Sequence, residues 1–493
     1  MRGFDPKAQA GKVPSPERRV DLLVVGAGPA GAAAAIEAAE AGLRVLLVDE
    51  NPVGAGLMGL DVPHYWGGRH TAAVQAKARM TEQVFAANPA LGTAFEAGVE
   101  IELGVYVWGA WVPGPGLASL PGPLAGLADE TRSWMVGFDR MILATGARDV
   151  AFAFKGWDQP GVMGARALEA LLTTYDAFSG RRLAILGAGD LAVRAARLAL
   201  ARGLEVAALV DVLDADEVAV GGIADLVATG VEILRRHAPV DATGGAEGVE
   251  RLVVRDLVTG AERTLDCDTV VQAVSLTPVI ELLDVLGADI AMRPGLGGHV
   301  PASPDGTATS LARVFVAGAA AGVAGGDDIT GEEAAASGLR AARAVLASLG
   351  RAPAPVAQAA AAPVVDAVAR QQAWARALMA VTEPSVIVCQ CEAVTREALL
   401  AVRQPDYLGP PSAAMAARDL GRLLEDGPAN QDQIKRLTRA GMGPCQARRC
   451  REQVALILAC TSTRTPPACR WPATARPCGP CRCPCSPPGT RTR

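Results

Sequence analysis

Residues 20–31 read VDLLVVGAGPAG, an apolar run of strand length that ends in a glycine-rich loop. An alanine-rich segment follows to about Ala41, and a second apolar run, VLLVDE, starts at Val45. In a dinucleotide-binding β-α-β unit, the first glycine permits the tight turn and the second lets a pyrophosphate approach the backbone. The third lets the helix pack on the strand. The stretch therefore predicts an α/β fold that opens with such a unit.

The candidate phosphate site is the whole loop together with the acid that ends the second strand. Unpaired N–H groups at the start of the helix would face the phosphates. Asp49 lies 18 residues beyond Gly31, where a carboxylate accepts hydrogen bonds from the adenosine ribose, and Glu50 is its rival for that role. The alternative is a glycine-rich turn that binds nothing. The candidate residues are Gly26, Ala27, Gly28, Pro29, Ala30, Gly31, Asp49 and Glu50.

A second copy of the pattern starts about 160 residues later. The predicted strand 182–186 is followed by GAGDLA, in which Ala192 replaces the third glycine. The next strand, VAALV, ends at Asp211, an acid that favours the ribose of NAD over the 2′-phosphate of NADP. Asp190 places a negative charge near the phosphates, so NAD, ATP and no ligand at all stay open as alternatives. The candidate residues here are Gly187, Gly189, Ala192 and Asp211.

Composition narrows the class of protein. The chain has 493 residues, a formal net charge of −5 and 20% charged residues, which argues against a nucleic-acid binder. An uncharged apolar run of the ~20 residues that span a bilayer does not occur in the sequence. The N-terminal charges are not followed by the apolar core of a signal peptide. These features predict a soluble, cytoplasmic protein of about three domains.

Cysteine is concentrated near the end of the chain. Residues 1–388 contain one cysteine, Cys267, and the other ten lie at 389–485. A CxC pair at 389–391 and a CxxxxC pair at 445–450 supply four thiolates, which is what a [2Fe–2S] cluster requires. Zinc sites usually use CxxC pairs instead. The candidate metal ligands are Cys389, Cys391, Cys445 and Cys450; the alternative is four buried thiols.

Further segments resemble the flavoproteins with two dinucleotide-binding domains. Residues 142–148 read ILATGAR, like the ATG strand-turn of that family, and residues 314–318 read VFVAG, like its late strand. The family has an acid where this chain has Ala319, so one hydrogen bond to the flavin ribityl chain is missing. The resemblance implies FAD at the first site, contacted also by Thr145, Gly146, Gly318 and Ala319. The single body cysteine argues against disulfide reduction.

More narrowly, residues 20–460 resemble the A subunits of opine oxidases, the B subunit of hydrogen cyanide synthase and the α subunits of dye-linked proline and hydroxyproline dehydrogenases. The cysteine module, with KRLTRAGMG at 435–443, resembles bacterioferritin-associated-ferredoxin-like [2Fe–2S] domains. The resemblance implies an electron-transferring subunit that works with an electron acceptor and with a separate amine-oxidase-like flavoprotein β subunit. The alternatives are a self-sufficient NADH-dependent reductase of the ferredoxin-reductase type and a non-catalytic scaffold with decayed nucleotide sites. No catalytic residue is assigned.

The predicted architecture is two Rossmann-like domains, the second inserted in the first, plus a small, mainly helical C-terminal [2Fe–2S] domain. The predicted divisions are a disordered N-terminus (1–19), an FAD-binding domain (20–180 and 300–350), an inserted NAD(P)-binding-like domain (181–299), an alanine- and proline-rich linker with a helix (351–384), the [2Fe–2S] domain (385–460) and a disordered tail (461–493).

Two other segments contain histidine or cysteine side chains that allow more than one interpretation. Residues 54–68, with His64 and with His70 just beyond, form either a surface loop with packed aromatic residues or the site of a catalytic histidine. The tail contains Cys478 and Cys481 in a CGPC motif, but a βαβ unit is not predicted around it. The tail composition resembles that of a GC-rich gene read in a shifted frame.

Overall fold

The computed structural model describes residues 15–52, 68–114, 122–214, 222–303, 305–327, 329–351, 366–410, 412–426 and 431–461. The predicted loop with His64, the first part of the predicted linker and helix (352–365) and the tail with Cys478 and Cys481 lie outside the described residues.

The first sheet has seven strands and is built on the opening strand. Its order is β3-β2-β1-β6-β5-β4, with β19 beside β6. The strands are β1 (Arg18–Val25), β2 (Val45–Asp49), β3 (Glu100–Leu103), β4 (Tyr106–Trp111), β5 (Leu124–Ala128), β6 (Ser133–Leu143) and β19 (Val314–Val316). Strands β2, β1, β6 and β19 run parallel and bring their carboxyl ends to one edge. Because β1 starts at Arg18, the predicted disordered N-terminus of residues 1–19 extends too far.

Helices cover the faces of this sheet and of the next one. The body helices are α1 (Pro29–Glu40), α2 (Lys77–Ala87), α3 (Ala90–Glu96), α4 (Ala165–Glu169), α5 (Asp190–Ala201), α6 (Ile223–Ala228), α7 (Glu281–Leu286) and α8 (Gly331–Ser348). Helices α1 and α8 pack closely because their contact surfaces consist of small residues. A Cβ at Gly338 would overlap the carbonyl oxygen of Ala30. The alanine-rich composition therefore reflects close helix packing at this place.

The second sheet has five parallel strands in the order β11-β10-β9-β15-β8. The strands are β8 (Val162–Gly164), β9 (Arg182–Leu186), β10 (Glu205–Val210), β11 (Glu232–Leu234) and β15 (Thr269–Gln272). Strand β8 pairs with β15, so the inserted unit starts before residue 162 and the predicted boundary at 180 is too late. The segment VMG at 162–164 is too short to be recognised as a strand from the sequence alone.

The chain also returns to the first domain earlier than predicted. Ile280, Leu283 and Leu286 pack in the core of the first sheet, about 20 residues before the predicted return at 300. The crossing is made by an antiparallel pair, β7 (Ala147–Asp149) with β16 (Leu276–Pro278). Other antiparallel strands are β12 (His237–Gly245), β13 (Gly248–Asp256), β14 (Glu262–Asp266), β17 (Ile290–Arg293) and β18 (Gly298–Pro301).

The cysteine module is mainly helical and packs on the inserted unit. Its elements are α9 (Ala367–Val381), β20 (Ile387–Cys389), β21 (Val394–Thr395), α10 (Arg396–Leu400), α11 (Ala413–Ala416), α12 (Leu420–Asp426), α13 (Gln431–Thr438) and α14 (Arg451–Thr461). Thr395 caps α10, because its Oγ1 accepts a hydrogen bond from the amide of Ala398 at 3.1 Å. Trp374 of α9 and Leu456 of α14 share one core with strands of the inserted unit.

Candidate functional site

The loop after β1 has the backbone geometry that the three glycines predict. Gly26 has φ +106°, and a Cβ there would overlap the carbonyl of Ala144. A Cβ on Gly31 would overlap the carbonyl oxygen of Gly26, so helix α1 approaches the loop closely. A Cβ on Gly28 would instead meet no atom within 4 Å. The loop therefore leaves open space at the position where a pyrophosphate approaches the backbone in such units.

Asp49 fixes the conformation of this loop. One of its carboxylate oxygens accepts a hydrogen bond from the amide of Ala27 at 2.5 Å, and the other accepts from the amide of Asn51 at 2.8 Å. Burial raises the pKa of Asp49, and these amide hydrogen bonds oppose the rise. Asn88 donates to the carbonyl of Ala27 at 2.9 Å from the other side. Ala27 is thus held at both its N–H and its C=O, while Glu50 lies beside Asp49 on the wall of a cavity.

That cavity has a volume of about 760 Å³ and extends from the first glycine loop. Its near wall includes Gly26 to Ala30, Asp49 to Asn51, the Thr145–Gly146 turn, Gly318, Ala319 and the start of α8. Thr145 Oγ1 donates to the carbonyl of Val279 at 2.7 Å, which fixes the turn. The first-site candidates that line the cavity are Gly26, Ala27, Gly28, Pro29, Ala30, Asp49, Glu50, Thr145, Gly146, Gly318 and Ala319. They lie together although they are spread over 300 residues of sequence.

The far wall of the cavity is basic and reaches the cysteine module. Arg448 and Arg449, which lie between Cys445 and Cys450 in the sequence, line the same cavity as the glycine loop. Arg148 and Glu281 line it as well. The sequence offered no motif for this wall, because its residues come from three separate parts of the chain.

Four charged side chains that are buried or partly buried join the body to the module at this wall. Arg148 forms ion pairs with Glu281 and, at 3.2 Å, with Glu452. Arg451 forms ion pairs with Glu281 at 2.9 Å and with Glu452 at 2.5 Å. The two positive and two negative charges balance. Burial alone would raise the pKa of Glu281, but Arg148 and Arg451 lower it to about 2.

We expect Glu281→Gln to lower the free energy of unfolding by about 3 kcal/mol, because the buried Arg451 and the partly buried Arg148 would then share one acid. Since the folded-state pKa of about 2 lies below the ordinary value of 4.5, the stabilisation is fully present above pH 4.5. It is lost as the pH falls toward 2. Urea unfolding at pH 7 and pH 3 measures both effects, and the difference between wild type and variant should shrink at pH 3.

The matched control is Glu232→Gln, which removes the acid of the exposed Arg263–Glu232 pair. It should cost less than about 1 kcal/mol. Equal losses in the two variants would show that the buried group contributes no more than a surface ion pair.

The second glycine loop has the same backbone geometry as the first, and the acid after its second strand makes the same kind of contacts. Gly187 has φ +111°, and a Cβ there would overlap the carbonyl of Ala273. Asp211 accepts hydrogen bonds from the amides of Ala188 at 2.7 Å and Leu213 at 3.0 Å, as Asp49 does from its own loop. However, the cavity is not lined by any of the four candidate residues of this loop. A Cβ on Gly189 would lie 2.7 Å from a guanidinium nitrogen of Arg370, so helix α9 covers the loop.

The four module cysteines lie next to one another. The Sγ atoms of Cys391 and Cys445 are 3.5 Å apart and those of Cys389 and Cys391 are 4.0 Å apart. The amide of Gly441 donates to Cys389 Sγ at 3.5 Å. Hydrogen bonding to Cys391 and burial raise the pKa of the Cys445 thiol. Among the described residues, no group of three or more cysteine, histidine or acidic side chains is arranged so that it could hold a metal ion.

His70, Cys267 and Asp327 do not line the cavity. His70 forms an isolated bridge with Phe178. Cys267 is buried at the end of β14, where burial raises its pKa to about 12, so it remains a thiol. Asp327, the acid that follows Ala319 in the sequence, lies at the second glycine loop and not at the first.

Residues 20–359 match the family model described as pyridine nucleotide-disulphide oxidoreductase. The chain belongs to this family. It is an FAD-dependent oxidoreductase, and FAD is the cofactor that the family implies for the first glycine loop. A paired cysteine of the kind that disulfide reduction requires is absent from the sequence of residues 20–359, which contains Cys267 alone.

Curated relatives extend the match to the cysteine module. The opine oxidase A subunit of Agrobacterium tumefaciens (strain Ach5) is 27% identical over 492 residues, which cover 91% of this chain and 87% of that protein. The sarcosine oxidase alpha subunit of Rhizobium meliloti (strain 1021) is 33% identical over 273 residues, 53% of this chain and 25% of that protein. The crystal structure of L-proline dehydrogenase from P. horikoshii has the same fold, with a TM-score of 0.59, 18% identity and coverage of 92% of this chain and 76% of that one. Within the described residues, no helix has the length and apolar character needed to cross a membrane.

Proposed function

We propose that this chain is an FAD- and [2Fe–2S]-containing electron-transfer subunit of a multi-subunit dehydrogenase or oxidase. The observation that carries the proposal is the continuous cavity from the first glycine loop to Arg448 and Arg449. These two arginines lie between two of the four clustered cysteines. A flavin at the loop and a cluster in the module would therefore lie on either side of one wall.

The first loop suits FAD because its polar groups and open space match the parts of that cofactor. Gly28 leaves the backbone accessible to a pyrophosphate, and the amides at the start of α1 would donate to it. Glu50 lies on the cavity wall beside Asp49 and is the acid proposed to contact the ribose, since Asp49 holds the loop. Ala319 offers no carboxylate to the ribityl chain, so the backbone of Gly318 and the start of α8 would contact the flavin there.

The module suits a [2Fe–2S] cluster because it supplies four adjacent sulfurs and compensating positive charge. A cluster held by four thiolates is anionic, and nearby cations and N–H groups stabilise it. Arg439 is paired with Glu392 at 2.6 Å and Arg451 with Glu452, and Arg448, Arg449, Lys435 and Arg436 add further positive charge to the module. When bound, FAD would accept two electrons and release them one at a time, as a [2Fe–2S] cluster, which accepts single electrons, requires.

The substrate class and the partner are proposed from the relatives. An amine, an imino acid or an opine would be oxidised at a C–N bond by an amine-oxidase-like flavoprotein β subunit. That oxidation releases two electrons and two protons, and the electrons would pass through this chain to an acceptor. The relatives are named as subunits of opine and sarcosine oxidases, which supports both the substrate class and a separate partner.

Absorption spectroscopy tests the proposal on the purified full chain, alone and together with an amine-oxidase-like flavoprotein β subunit. We expect flavin and cluster bands in the same preparation. NADH alone should leave both sets of bands unchanged, and an amine substrate should bleach them when the partner is present. Bleaching by NADH without the partner would instead identify a self-sufficient reductase, and the lack of both cofactors would identify a scaffold.

A further inference from the structure

A carboxylate of this chain stands at the phosphate position of the second glycine loop. The Asp327 side chain lies at the N-terminus of α5, where its Oδ1 accepts a hydrogen bond from the amide of Leu191 at 3.4 Å. A Cβ on Gly189 would lie 3.2 Å from the same oxygen. In dinucleotide-binding units, this region receives the pyrophosphate, because helix N-terminal amides bind anions.

Arg370 of helix α9 compensates the charge of Asp327. Its guanidinium forms an ion pair with the carboxylate at 3.2 Å and donates to the carbonyl of Val274 at 3.4 Å. The two side chains are 8% and 14% exposed, so solvent screens the pair weakly. Burial raises the pKa of Asp327, and the charge of Arg370 opposes that rise. The loop therefore already contacts an anion with its own counterion.

The other groups that a dinucleotide would contact already have partners within this chain. Asp211, which would bind the ribose, is 1% exposed, and its two oxygens accept hydrogen bonds from the loop and from Leu213. The space in front of Gly189, where a phosphate would approach, contains the guanidinium of Arg370. A dinucleotide would have to displace both Asp327 and α9.

The segment that carries Asp327 is fixed by close packing. Gly326 has φ +73°, and a Cβ there would lie 2.7 Å from the Cβ of Ala367 at the start of α9 and would overlap Ser275. Gln371 of α9 donates to Ser275 Oγ at 2.9 Å in the same buried layer. Helix α9, the segment that ends at Asp327 and the residues after the second sheet therefore pack directly against one another.

We propose that the second Rossmann unit is a docking site for helix α9 and not a nucleotide site, with the Asp327 carboxylate in the place of the phosphate. Helix α9 leads to β20, which carries Cys389, so the docked helix positions the cysteine module beside the flavin cavity. The unit then binds neither NAD nor ATP. This inference concerns residues of the body and α9, and it holds whether or not the module contains a cluster.

Hydrogen–deuterium exchange of the FAD-loaded full chain tests the docking. Arg370→Ala should speed exchange in residues 187–193 and in α9 by about tenfold or more, because the Asp327 charge loses its partner. Asp327→Asn, which keeps the shape and removes the charge, should do the same and provides a second variant if the first fails to fold. The control is Arg376→Ala, on an exposed position of the same helix, which should leave both segments unchanged.

Nucleotide binding tests the exclusion. NAD or ATP at 1 mM should neither bind the FAD-loaded wild type in calorimetry nor slow exchange in residues 187–193. Binding accompanied by protection of that segment would overturn the proposal. Unchanged exchange in both Arg370→Ala and Asp327→Asn would overturn it as well, because the ion pair would then not hold the helix on the loop.

Discussion

Gly28→Val should give a folded chain that binds flavin at least about tenfold more weakly than wild type. The backbone at Gly28 has φ −67° and ψ −179°, which valine adopts without strain. A Cβ there meets no protein atom within 4 Å, so the folded chain itself accommodates the side chain. The added methyl groups would occupy the space that a pyrophosphate needs. The substitution should therefore weaken flavin binding without destabilising the folded chain.

Two variants separate these effects, and flavin released from equal amounts of purified protein is the measurement. Gly31→Val should yield little folded protein, because its Cβ would overlap the Gly26 carbonyl oxygen. Gly92→Val in α3 is the matched control: a Cβ there also meets no atom within 4 Å, and residue 92 does not line the cavity. It should retain normal flavin. Full flavin in Gly28→Val would mean that the pyrophosphate lies elsewhere in the cavity.

Local patterns in the sequence predicted the two glycine loops and their flanking elements well. Strand β9 has the predicted bounds, and α1 ends one residue before the predicted Ala41. These elements are specified by neighbouring residues: an apolar run, three spaced glycines and an acid at the end of the next strand. The twin contacts of Asp49 with Ala27 and of Asp211 with Ala188 follow from that shared local geometry.

Contacts between distant residues could not be predicted in the same way. The Asp327–Arg370 pair joins two segments 43 residues apart, and neither residue belongs to a motif. The ion pairs of Arg148 and Arg451 with Glu281 span even greater separations. Such pairs depend on which surfaces meet after folding. The presence of an acid at the end of β10 predicted a ribose site, yet docking of α9 determines whether that site is accessible.

The same contacts explain how the module is placed. Helix α9 docks on the inserted unit through Arg370, and α14 is tied to the body through Arg451 and Glu452. The cysteine loop 445–450 directly precedes α14, so its position at the far wall of the cavity follows from these two attachments. In the proposed electron-transfer subunit, these two attachments would hold the flavin site and the cluster site at one separation.

Cys445→Ser is expected to lose most of the iron and labile sulfide of the module while flavin content stays near that of wild type. A [2Fe–2S] cluster contains two irons with two thiolates on each, so the loss of one ligand leaves one iron incompletely held. Cys445 is buried, and its Sγ lies 3.5 Å from that of Cys391, which places it inside the group of four sulfurs. Iron and acid-labile sulfide should fall from about two of each per chain to less than half of that.

Cys460→Ser provides the matched control, because Cys460 is a half-buried thiol in α14 that contacts the carbonyl of Gln372 and lies outside the group of four. It should keep wild-type iron, sulfide and visible absorbance. Unchanged iron and sulfide in Cys445→Ser would remove Cys445 from the ligand set. About one zinc per wild-type chain without labile sulfide would contradict the cluster itself, since a mononuclear zinc ion is held by four ligands and contains no inorganic sulfide. Metal analysis of the two variants beside wild type therefore tests the ligand assignment and the identity of the metal centre together.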